Sequence, residues 1–171
     1  MVDPIRKSRD ATPSRALYTP EQRARRDASV WTRVQGVLAI LQFAVFLVSL
    51  ALVARWALTG AGYEAATVSI VVKAAALAAI MVTGSIWEKA VFDRWLLAPA
   101  FFWEDMVSFV VIALHAAYVA ALLGGWLAPR ELIALALAAY AAYALNAAQF
   151  VLKLRAARLQ GASPSDAGVA A

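Results

Sequence analysis

The sequence predicts an all-α fold, an integral membrane four-helix bundle. Hydrophobic residues make up 63% of the 171 residues and charged residues only 16%, whereas soluble domains are about half apolar and a quarter charged. The excess apolar residues lie in four long runs, at 34–53, 65–86, 106–123 and 132–152. Tryptophans occur at or near the run ends, as in an aromatic belt at the membrane surfaces: Trp31, Trp56, Trp87, Trp95, Trp103 and Trp126.

Each apolar run has the length of a membrane-spanning helix. Runs of roughly 18–22 residues, rising ~1.5 Å per residue, cross a hydrocarbon core of ~30 Å. Backbone groups in lipid must be paired within their own segment, so each run is predicted to be a helix. Residues 30–158 are therefore predicted to form a membrane domain, flanked by mobile tails at 1–29 and 159–171 that are rich in charge, Pro, Ser and Ala.

The positions of lysine and arginine predict that both termini and the central connection at 87–105 face the cytoplasm. Cytoplasmic segments of membrane proteins carry an excess of these residues, and two of the three connections have only Arg55 and Arg130 near them. The basic residues on the predicted cytoplasmic side are Arg6, Lys7, Arg9, Arg15, Arg23, Arg25, Arg26, Arg33, Lys89, Arg94, Lys153, Arg155 and Arg158. The net charge of +5 is thus attributed to topology and anionic lipid, and no nucleic-acid partner is predicted.

Cysteine is absent and His115 is the only histidine. Disulfides, thiolate metal sites, iron–sulfur clusters and c-type haem attachment are therefore excluded. A haem held by two histidines of one chain is excluded as well. No metal site of the protein's own is predicted.

Polar residues within the first two runs have more than one explanation. Gln35, Gln42 and Ser49 recur every seven residues and share one helix face. They form either a hydrogen-bonded seam between helices, which is favoured, or part of a substrate lining. Lys73 lies ~12 Å of helix from the outer end of its run. It either extends to the membrane surface or pairs with a neighbouring helix, or it serves as a functional charge.

The third run combines an acidic start with the single histidine. Glu104 and His115 are eleven residues apart, which places both on one face and separates them by ~16 Å along the axis. A large flat ligand could touch both. The structural alternatives are that Glu104 and Asp105 complement the helix dipole and that His115 makes one hydrogen bond between helices. Asn146 in the fourth run is likewise explained by interhelical hydrogen bonding or by a ligand.

The connection at 87–105 concentrates charged and aromatic residues between two apolar runs. Its four acids, two bases and three tryptophans are Glu88, Asp93, Glu104, Asp105, Lys89, Arg94, Trp87, Trp95 and Trp103. The middle, LLAPAFF at 96–102, is too short to cross a membrane. It is predicted to lie in the interface or to fold back against the bundle.

Several stretches of the chain resemble one known family. They are WTRVQGVLAILQFAVFLVSLALV (31–53), VTGSIWEKAVFDRWLLAPAFFWEDMVSF (82–109), LHAAY (114–118) and LNAAQFVLKLRAARLQ (145–160). Together they are similar to the 3-vinyl bacteriochlorophyllide hydratase family of bacteriochlorophyll biosynthesis, over residues 20–160. The resemblance implies a hydro-lyase of the bacterial inner, photosynthetic membrane. Such an enzyme adds water to the ring-A vinyl group of chlorophyllide a or 3-vinyl bacteriochlorophyllide, giving a 1-hydroxyethyl group.

The implied substrate is a Mg-tetrapyrrole, which carries its own magnesium, so no added cofactor is expected. Hydration requires a proton donor for the terminal vinyl carbon and an acceptor for a proton of the attacking water. Two carboxyls in a poorly hydrated place take different protonation states, one neutral and one ionised. Glu104, which shares a face with His115, is predicted to be the acid, with Asp105 and Glu88 as further catalytic candidates.

Seven residues are predicted to bind the tetrapyrrole. The aromatic members would line the site and exclude water, the basic members would hold the propionate, and the two members within the spans would contact the macrocycle. The seven are Trp87, Trp103, Phe102, Lys89, Arg94, His115 and Asn146. Trp95 and Phe101 belong to the same aromatic set.

A second hypothesis uses the same residues without catalysis. A membrane carrier or assembly factor for photosynthetic complexes would bind pigment in the aromatic pocket, with His115 as an axial magnesium ligand and the acids as structural groups. A transporter is disfavoured, because the sequence shows neither an inverted repeat nor broken helices. Homo-oligomers and contacts with other pigment-biosynthesis enzymes are both compatible with the sequence.

Overall fold

Five helices form the described part of the chain, and four of them are long enough to cross a membrane. The computed structural model describes residues 17–161, with side chains described up to residue 155. The helices are α1 (Pro20–Ala28), α2 (Val30–Thr59), α3 (Tyr63–Phe92), α4 (Phe102–Gly124) and α5 (Pro129–Gly161). The most apolar windows of α2 to α5 have mean hydropathies of 2.7, 2.2, 2.3 and 1.5. The prediction of four apolar spans in a multi-pass helical protein is confirmed, while residues 1–16 and 162–171 of the predicted tails lie outside the described residues.

The helices extend beyond the predicted apolar runs. Helices α2 and α3 have 30 residues each, or ~45 Å of helix, so both exceed a ~30 Å core and must tilt or project from it. Helix α3 continues through Glu88 and Lys89, and the connection predicted at 87–105 shortens to 93–101. Hydropathy misses these turns because a helix that leaves the membrane can become polar without ending.

A short helix, α1, lies in the segment for which the sequence predicts only a tail. Thr19 caps it: the Thr19 N–H donates to Gln22 Oε1 at 2.9 Å, and the Gln22 N–H donates to Thr19 Oγ1 at 3.2 Å. Pro20 fits the first helical position, where its missing N–H costs nothing. The adjacent Tyr18 is only 6% exposed and stacks on Phe92 at the end of α3. The Thr-Pro-x-Gln pattern was the available sequence signal for this helix.

The spans pair as two antiparallel hairpins. Helix α2 packs along α3 and α4 along α5, with fewer contacts between the hairpins. The turn from α2 to α3 needs only residues 60–62, because Gly60 and Gly62 take φ values of 72° and 87°, which glycine adopts without strain. One end of the bundle, formed by α1, the connection 93–101 and the C-terminal part of α5, is named the rim.

Hydrogen bonds between helices confirm the polar seam predicted for the first span. Gln35 Nε2 donates to Thr83 Oγ1 at 2.7 Å. The hydroxyls of Ser49 and Ser69 are 2.7 Å apart, and Ser49 also bonds the hydroxyl of Tyr140 on α5. The seam joins α2 to α3 and reaches the second hairpin.

The bundle is apolar outside and holds its buried polar side chains at two levels. Large hydrophobic residues such as Ile40 and Leu145 are 76% and 67% exposed, as expected for a surface that faces lipid. One buried polar level, at the rim, contains three acids: Glu88, Glu104 and Asp105. The other, in the middle of the bundle, contains Gln42, Ser49, Lys73 and His115.

Candidate active site

Two buried carboxyl groups meet where α3 ends and α4 begins. Glu88 and Asp105 are 4% and 5% exposed. The N–H of Leu97 donates to Asp105 Oδ2 at 2.8 Å, and the N–H of Ala98 donates to Glu88 Oε2 at 3.0 Å. The two carboxyls are thus brought side by side, each bonded to one of two consecutive amides. Glu88 and Asp105 together are named the acid pair.

The connection 93–101 is folded so that two consecutive amides reach the acid pair. Asp93 and Leu97 take φ values of 62° and 59°, a left-handed backbone that costs about 1–3 kcal/mol for residues other than glycine. Each hydrogen bond from a backbone N–H to a charged group contributes about 1.5–3 kcal/mol. The contacts of Leu97 and Ala98 with the acid pair therefore offset the backbone strain and hold the connection closed.

The placement of the two carboxyls defines what the acid pair can do. A buried carboxyl loses the hydration that its charged form needs, so two carboxyls buried side by side favour a state with a proton on one of them. Like charges at this separation also repel strongly in a poorly hydrated site. The acid pair consequently presents one proton donor and one proton acceptor side by side.

Glu104, one residue before Asp105, has a different partner. Its Oε2 lies 2.5 Å from Lys153 Nζ on α5, and the two side chains are 10% and 25% exposed. The Lys153 ammonium also lies 5.0 Å from the centre of the Phe101 ring. This ion pair ties α4 to α5 and sets Glu104 apart from the acid pair, whose partners are backbone amides.

An aromatic cluster packs around Phe101 at the rim. Phe101 is 2% exposed, and its ring centre lies 5.5 Å from that of Trp87, 5.8 Å from Phe92, 6.0 Å from Phe150 and 6.3 Å from Tyr18. Burial raises the pKa of the Tyr18 phenol above its ordinary value. The cluster joins α3, α5, the connection 93–101 and the segment before α1, and it keeps water from this side of the rim.

Two aromatic residues predicted to line the site lie outside it. Trp103 and Phe102 are 72% and 40% exposed, and their rings pack on each other with centres 5.4 Å apart. Successive helix residues are ~100° apart, so burial of Glu104 and Asp105 turns Phe102 and Trp103 toward the outside. Of the predicted aromatic set, Trp87 and Phe101 lie in the buried aromatic cluster, while Trp95 is exposed as well.

The two predicted propionate-binding bases also lie at the surface. Lys89 Nζ contacts Asp93 Oδ1 at 2.6 Å, and this hydrogen bond, with the charge of Lys89, lowers the pKa of the Asp93 carboxyl. Arg94 is exposed. Lys89 thus already has a carboxylate partner in the connection, one turn away on the chain.

His115 and Asn146 lie between the helices with unused hydrogen-bonding atoms. His115 is 2% exposed, and its Nδ1 lies 2.8 Å from the carbonyl of Val111. Because a carbonyl only accepts, Nδ1 carries the proton and Nε2 keeps a lone pair, which has no partner among the described atoms. Asn146 Nδ2 donates to Ser108 Oγ at 2.8 Å, while its Oδ1 has no partner there. The predicted interhelical hydrogen bond is thus observed for Asn146, whereas the hydrogen bond of His115 lies within α4, and each side chain keeps one polar atom unused.

The arrangement has no multi-ligand metal site in the part of the chain that the structure describes. No three His, Asp or Glu side chains there converge as the ligands of an ion would. The chemistry available at the rim is proton transfer by carboxyl groups in an enclosed, partly aromatic site.

Comparisons with known proteins agree on one family. The family model described as 2-vinyl bacteriochlorophyllide hydratase matches residues 18–156. The chain is 62% identical over 157 residues to the 2-vinyl bacteriochlorophyllide hydratase of Rhodobacter capsulatus, covering 91% of each chain. It is 61% identical over 150 residues to the protein of that name from Cereibacter sphaeroides, covering 87% of this chain and 92% of the relative. No solved structure matches the chain. A match across both hairpins and the rim, at this identity, shows that the chain belongs to the 2-vinyl bacteriochlorophyllide hydratase family.

Proposed function

We propose that this protein adds water to the ring-A vinyl group of chlorophyllide a or of 3-vinyl bacteriochlorophyllide, and that the acid pair carries the proton transfers. The relatives' names support the reaction; the numbers 2 and 3 denote the same vinyl position in two numbering schemes of the macrocycle. The observation that carries the site assignment is the placement of two buried carboxyls on consecutive amides of the connection 93–101. The protein is a hydro-lyase of bacteriochlorophyll biosynthesis.

The acid pair supplies both proton transfers of the hydration. Its shared proton goes to the terminal carbon of the vinyl group, which becomes a methyl group. The adjacent carbon becomes a cation that the macrocycle delocalises. Water attacks this carbon, and the carboxylate left by the first step takes the extra proton from the water. One C–H and one C–O bond form, the carbon–carbon double bond becomes single, and the acid pair regains its proton.

The donor role passes from Glu104, the acid favoured by the sequence, to the acid pair. Glu104 is engaged by Lys153 at 2.5 Å, and a carboxylate in an ion pair has no proton to give. Glu104 follows Trp103 and immediately precedes Asp105 in the first turn of α4. Its negative charge is suited to stabilise the cation formed beside the ring, and its ion pair positions α4 against α5.

The substrate reaches the acid pair when the connection 93–101 moves. The N–H groups of Leu97 and Ala98 bind one oxygen of each carboxyl and cover the acid pair. The left-handed backbone at Asp93 and Leu97 stores strain that opening releases. Trp87 and Phe101 remain as an aromatic wall against which the macrocycle can pack.

His115 contacts a part of the substrate remote from the vinyl group. It lies eleven residues from Glu104, or ~16 Å along α4, which exceeds the distance from the centre of a tetrapyrrole to its edge. One pose therefore cannot place magnesium on His115 Nε2 and the vinyl group at the acid pair. In the reactive pose His115 and Asn146 face the other side of the macrocycle and help to orient it.

The rim faces the cytoplasm in this proposal, with both termini on the same side of the bacterial inner membrane. The support is the excess of lysine and arginine at this end and its scarcity at the turns around Gly62 and Gly125. The reaction is non-redox, and magnesium arrives with the substrate, so no further cofactor is required.

The hydration is tested with membranes from cells that make this protein, given chlorophyllide a in water labelled with oxygen-18. The expected product is heavier than the substrate by one labelled water and carries the label in its hydroxyl group. Recovery of unchanged chlorophyllide that nevertheless co-purifies with the protein would favour the carrier hypothesis instead.

A further inference from the structure

Lys73 is a buried charge that the proposed hydration does not use. It is 0% exposed in the middle of α3, and its Nζ lies 3.4 Å from the centre of the Tyr143 ring on α5. In the amide orientation that satisfies its surroundings, the side-chain oxygen of Gln42 on α2 accepts from Lys73 Nζ at 3.2 Å and from the Leu77 N–H at 3.1 Å. Three helices from both hairpins therefore converge on one ammonium group.

The ammonium of Lys73 has no acidic partner among the residues that the structure describes. The ion pairs there join Arg26 to Asp27, Lys89 to Asp93 and Lys153 to Glu104. A lysine inside a membrane is costly unless it is paired. An amide oxygen and an aromatic face compensate only part of the lost hydration. Lys73 is thus prepared to receive an anionic group from outside the protein.

The Lys73 side chain ends inside the bundle and does not reach the nearer membrane surface. It lies ten residues from the start of α3 at Tyr63, so the far end of the bundle is only ~15 Å away. Its Nζ nevertheless shares the oxygen of Gln42 with the N–H of Leu77, one turn further along α3. Of the two structural alternatives, contact with a neighbouring helix is therefore observed and extension to the membrane surface is not, and the charge lies inside the bundle between the levels of Lys73 and Leu77.

The distance from this charge to the acid pair matches a tetrapyrrole with an extended side chain. Leu77 and Glu88 are eleven residues apart on α3, or ~16 Å. The vinyl group and the propionate arm of a chlorophyllide are carried on different rings and point to different sides of the macrocycle. Lys73 itself is fifteen residues from Glu88, or ~22 Å. A substrate with its vinyl group at Glu88 can therefore extend its free carboxylate to the level of Leu77, where the Gln42 oxygen contacts Lys73 Nζ.

We propose that Lys73, with Gln42 and Tyr143, forms the subsite for the free propionate carboxylate of the substrate. The inference rests on the proposed hydration of a chlorophyllide and adds the group that fixes the orientation of the macrocycle. Lys73 Nζ donates to the carboxylate, the NH₂ of Gln42 is a second donor, and the Tyr143 ring covers the site from α5. Because the hairpins share fewer contacts with each other than their own helices do, separation of the hairpins gives the carboxylate access.

The same subsite explains the position of His115. The ring centre of His115 lies 6.0 Å from that of Tyr140, which is one turn of α5 from Tyr143, the residue whose ring covers Lys73 Nζ. His115 therefore lies beside the propionate end of the substrate. In this placement His115 helps to orient the substrate, and the magnesium of the substrate lies nearer the rim than His115 does.

The proposal is tested by comparing chlorophyllide a with its propionate methyl ester, which has the same ring and vinyl group but no negative charge. Dissociation constants come from the absorbance change of the pigment with purified protein, and kcat and KM come from product formation. The wild type should bind the acid about 10–100-fold more tightly than the ester, as expected for a hydrogen bond between charged groups. The kcat values for the two substrates should be similar.

Lys73→Met should remove this preference by weakening binding of the acid and leaving binding of the ester unchanged. Gln42→Leu, which retains the lysine, should reduce the preference in part and serves as the second variant if Lys73→Met does not fold. Arg130→Met removes an exposed positive charge at the far end and should keep the full preference. Lys89→Met tests the rim position predicted for the propionate.

Each outcome distinguishes this subsite from the hydration itself. Equal binding of acid and ester by the wild type would overturn the subsite while leaving the hydratase function intact. A preference that survives Lys73→Met and Gln42→Leu but disappears in Lys89→Met would place the carboxylate at the rim. Absence of product from both substrates with the wild type would count against the proposed function, whatever the binding constants show.

Discussion

Replacing Glu88 with glutamine removes the transferable proton of the acid pair and keeps its shape. The amide oxygen of the variant can still accept from the Ala98 N–H, which lies 3.0 Å from Glu88 Oε2 in the wild type. The amide NH₂ can donate to the Asp105 carboxylate in place of the shared proton. The connection 93–101 should remain closed, and the free energy of unfolding should change little.

The rate should nevertheless fall steeply, because an amide does not release a proton to carbon. A general acid contributes about 10²–10⁴-fold, which corresponds to ~2.7–5.4 kcal/mol of activation free energy at 1.36 kcal/mol per factor of ten. Glu88→Leu is a contrasting variant. It leaves the buried Ala98 N–H without its acceptor, which costs about 1–3 kcal/mol, so both stability and rate should fall.

The assay measures single-turnover formation of the hydrated product by detergent-solubilised protein, with pigment binding followed by absorbance in the same samples. Glu88→Gln should bind chlorophyllide like the wild type and convert it about 10²–10⁴-fold more slowly. A variant with normal binding and a near-wild-type rate would refute the assignment of the proton to the acid pair. The donor would then lie outside the acid pair.

Three further predictions concern topology, the rim ion pair and the histidine. Reporter fusions at Gly62 and Gly125 should both appear periplasmic, and a cytoplasmic signal at either would contradict the proposed orientation. Glu104→Gln leaves the partly buried Lys153 without its carboxylate, so it should lower the free energy of unfolding by about 1–3 kcal/mol and slow turnover less than Glu88→Gln does. Adding Lys153→Met to Glu104→Gln should lower the free energy of unfolding little further, because both substitutions break the same ion pair. Additive losses of stability would argue against the ion pair. His115→Ala should weaken pigment binding about tenfold at an unchanged protein level in the membrane, whereas unaltered binding would limit His115 to its hydrogen bond within α4.

The sequence by itself determined the membrane class, the number of spans and the polar seam. Long apolar runs and a period of seven residues are properties of single segments, and the bilayer makes them decisive because backbone groups in lipid must pair within a helix. Gln35 and Ser49 could therefore be placed on a helix–helix contact before any tertiary structure was considered. The family likewise followed from stretches distributed over all four spans.

The concentration of acids and aromatics in the central connection also located the rim from the sequence. The sequence could not determine which acids pair, because Glu88 and Asp105 are 17 positions apart on two helices whose ends meet only through the backbone conformation at Leu97. Helical periodicity does not cross such a connection. Helical periodicity placed Glu104 correctly on the inward face of α4. It could not show that Glu104 would form an ion pair with Lys153 of another helix.

Only the tertiary structure decided the environment of Lys73. Its distance from the helix end allowed an extended side chain that reaches the membrane surface. The register of α2 against α3 brought Gln42 to its ammonium, and the packing of the second hairpin placed the ring of Tyr143 over it. Local sequence determines how long and how apolar a helix is, whereas the partner of a buried charge depends on contacts between segments that are distant in the chain. For that physical reason the spans could be predicted from the sequence and the partners of the buried charges could not.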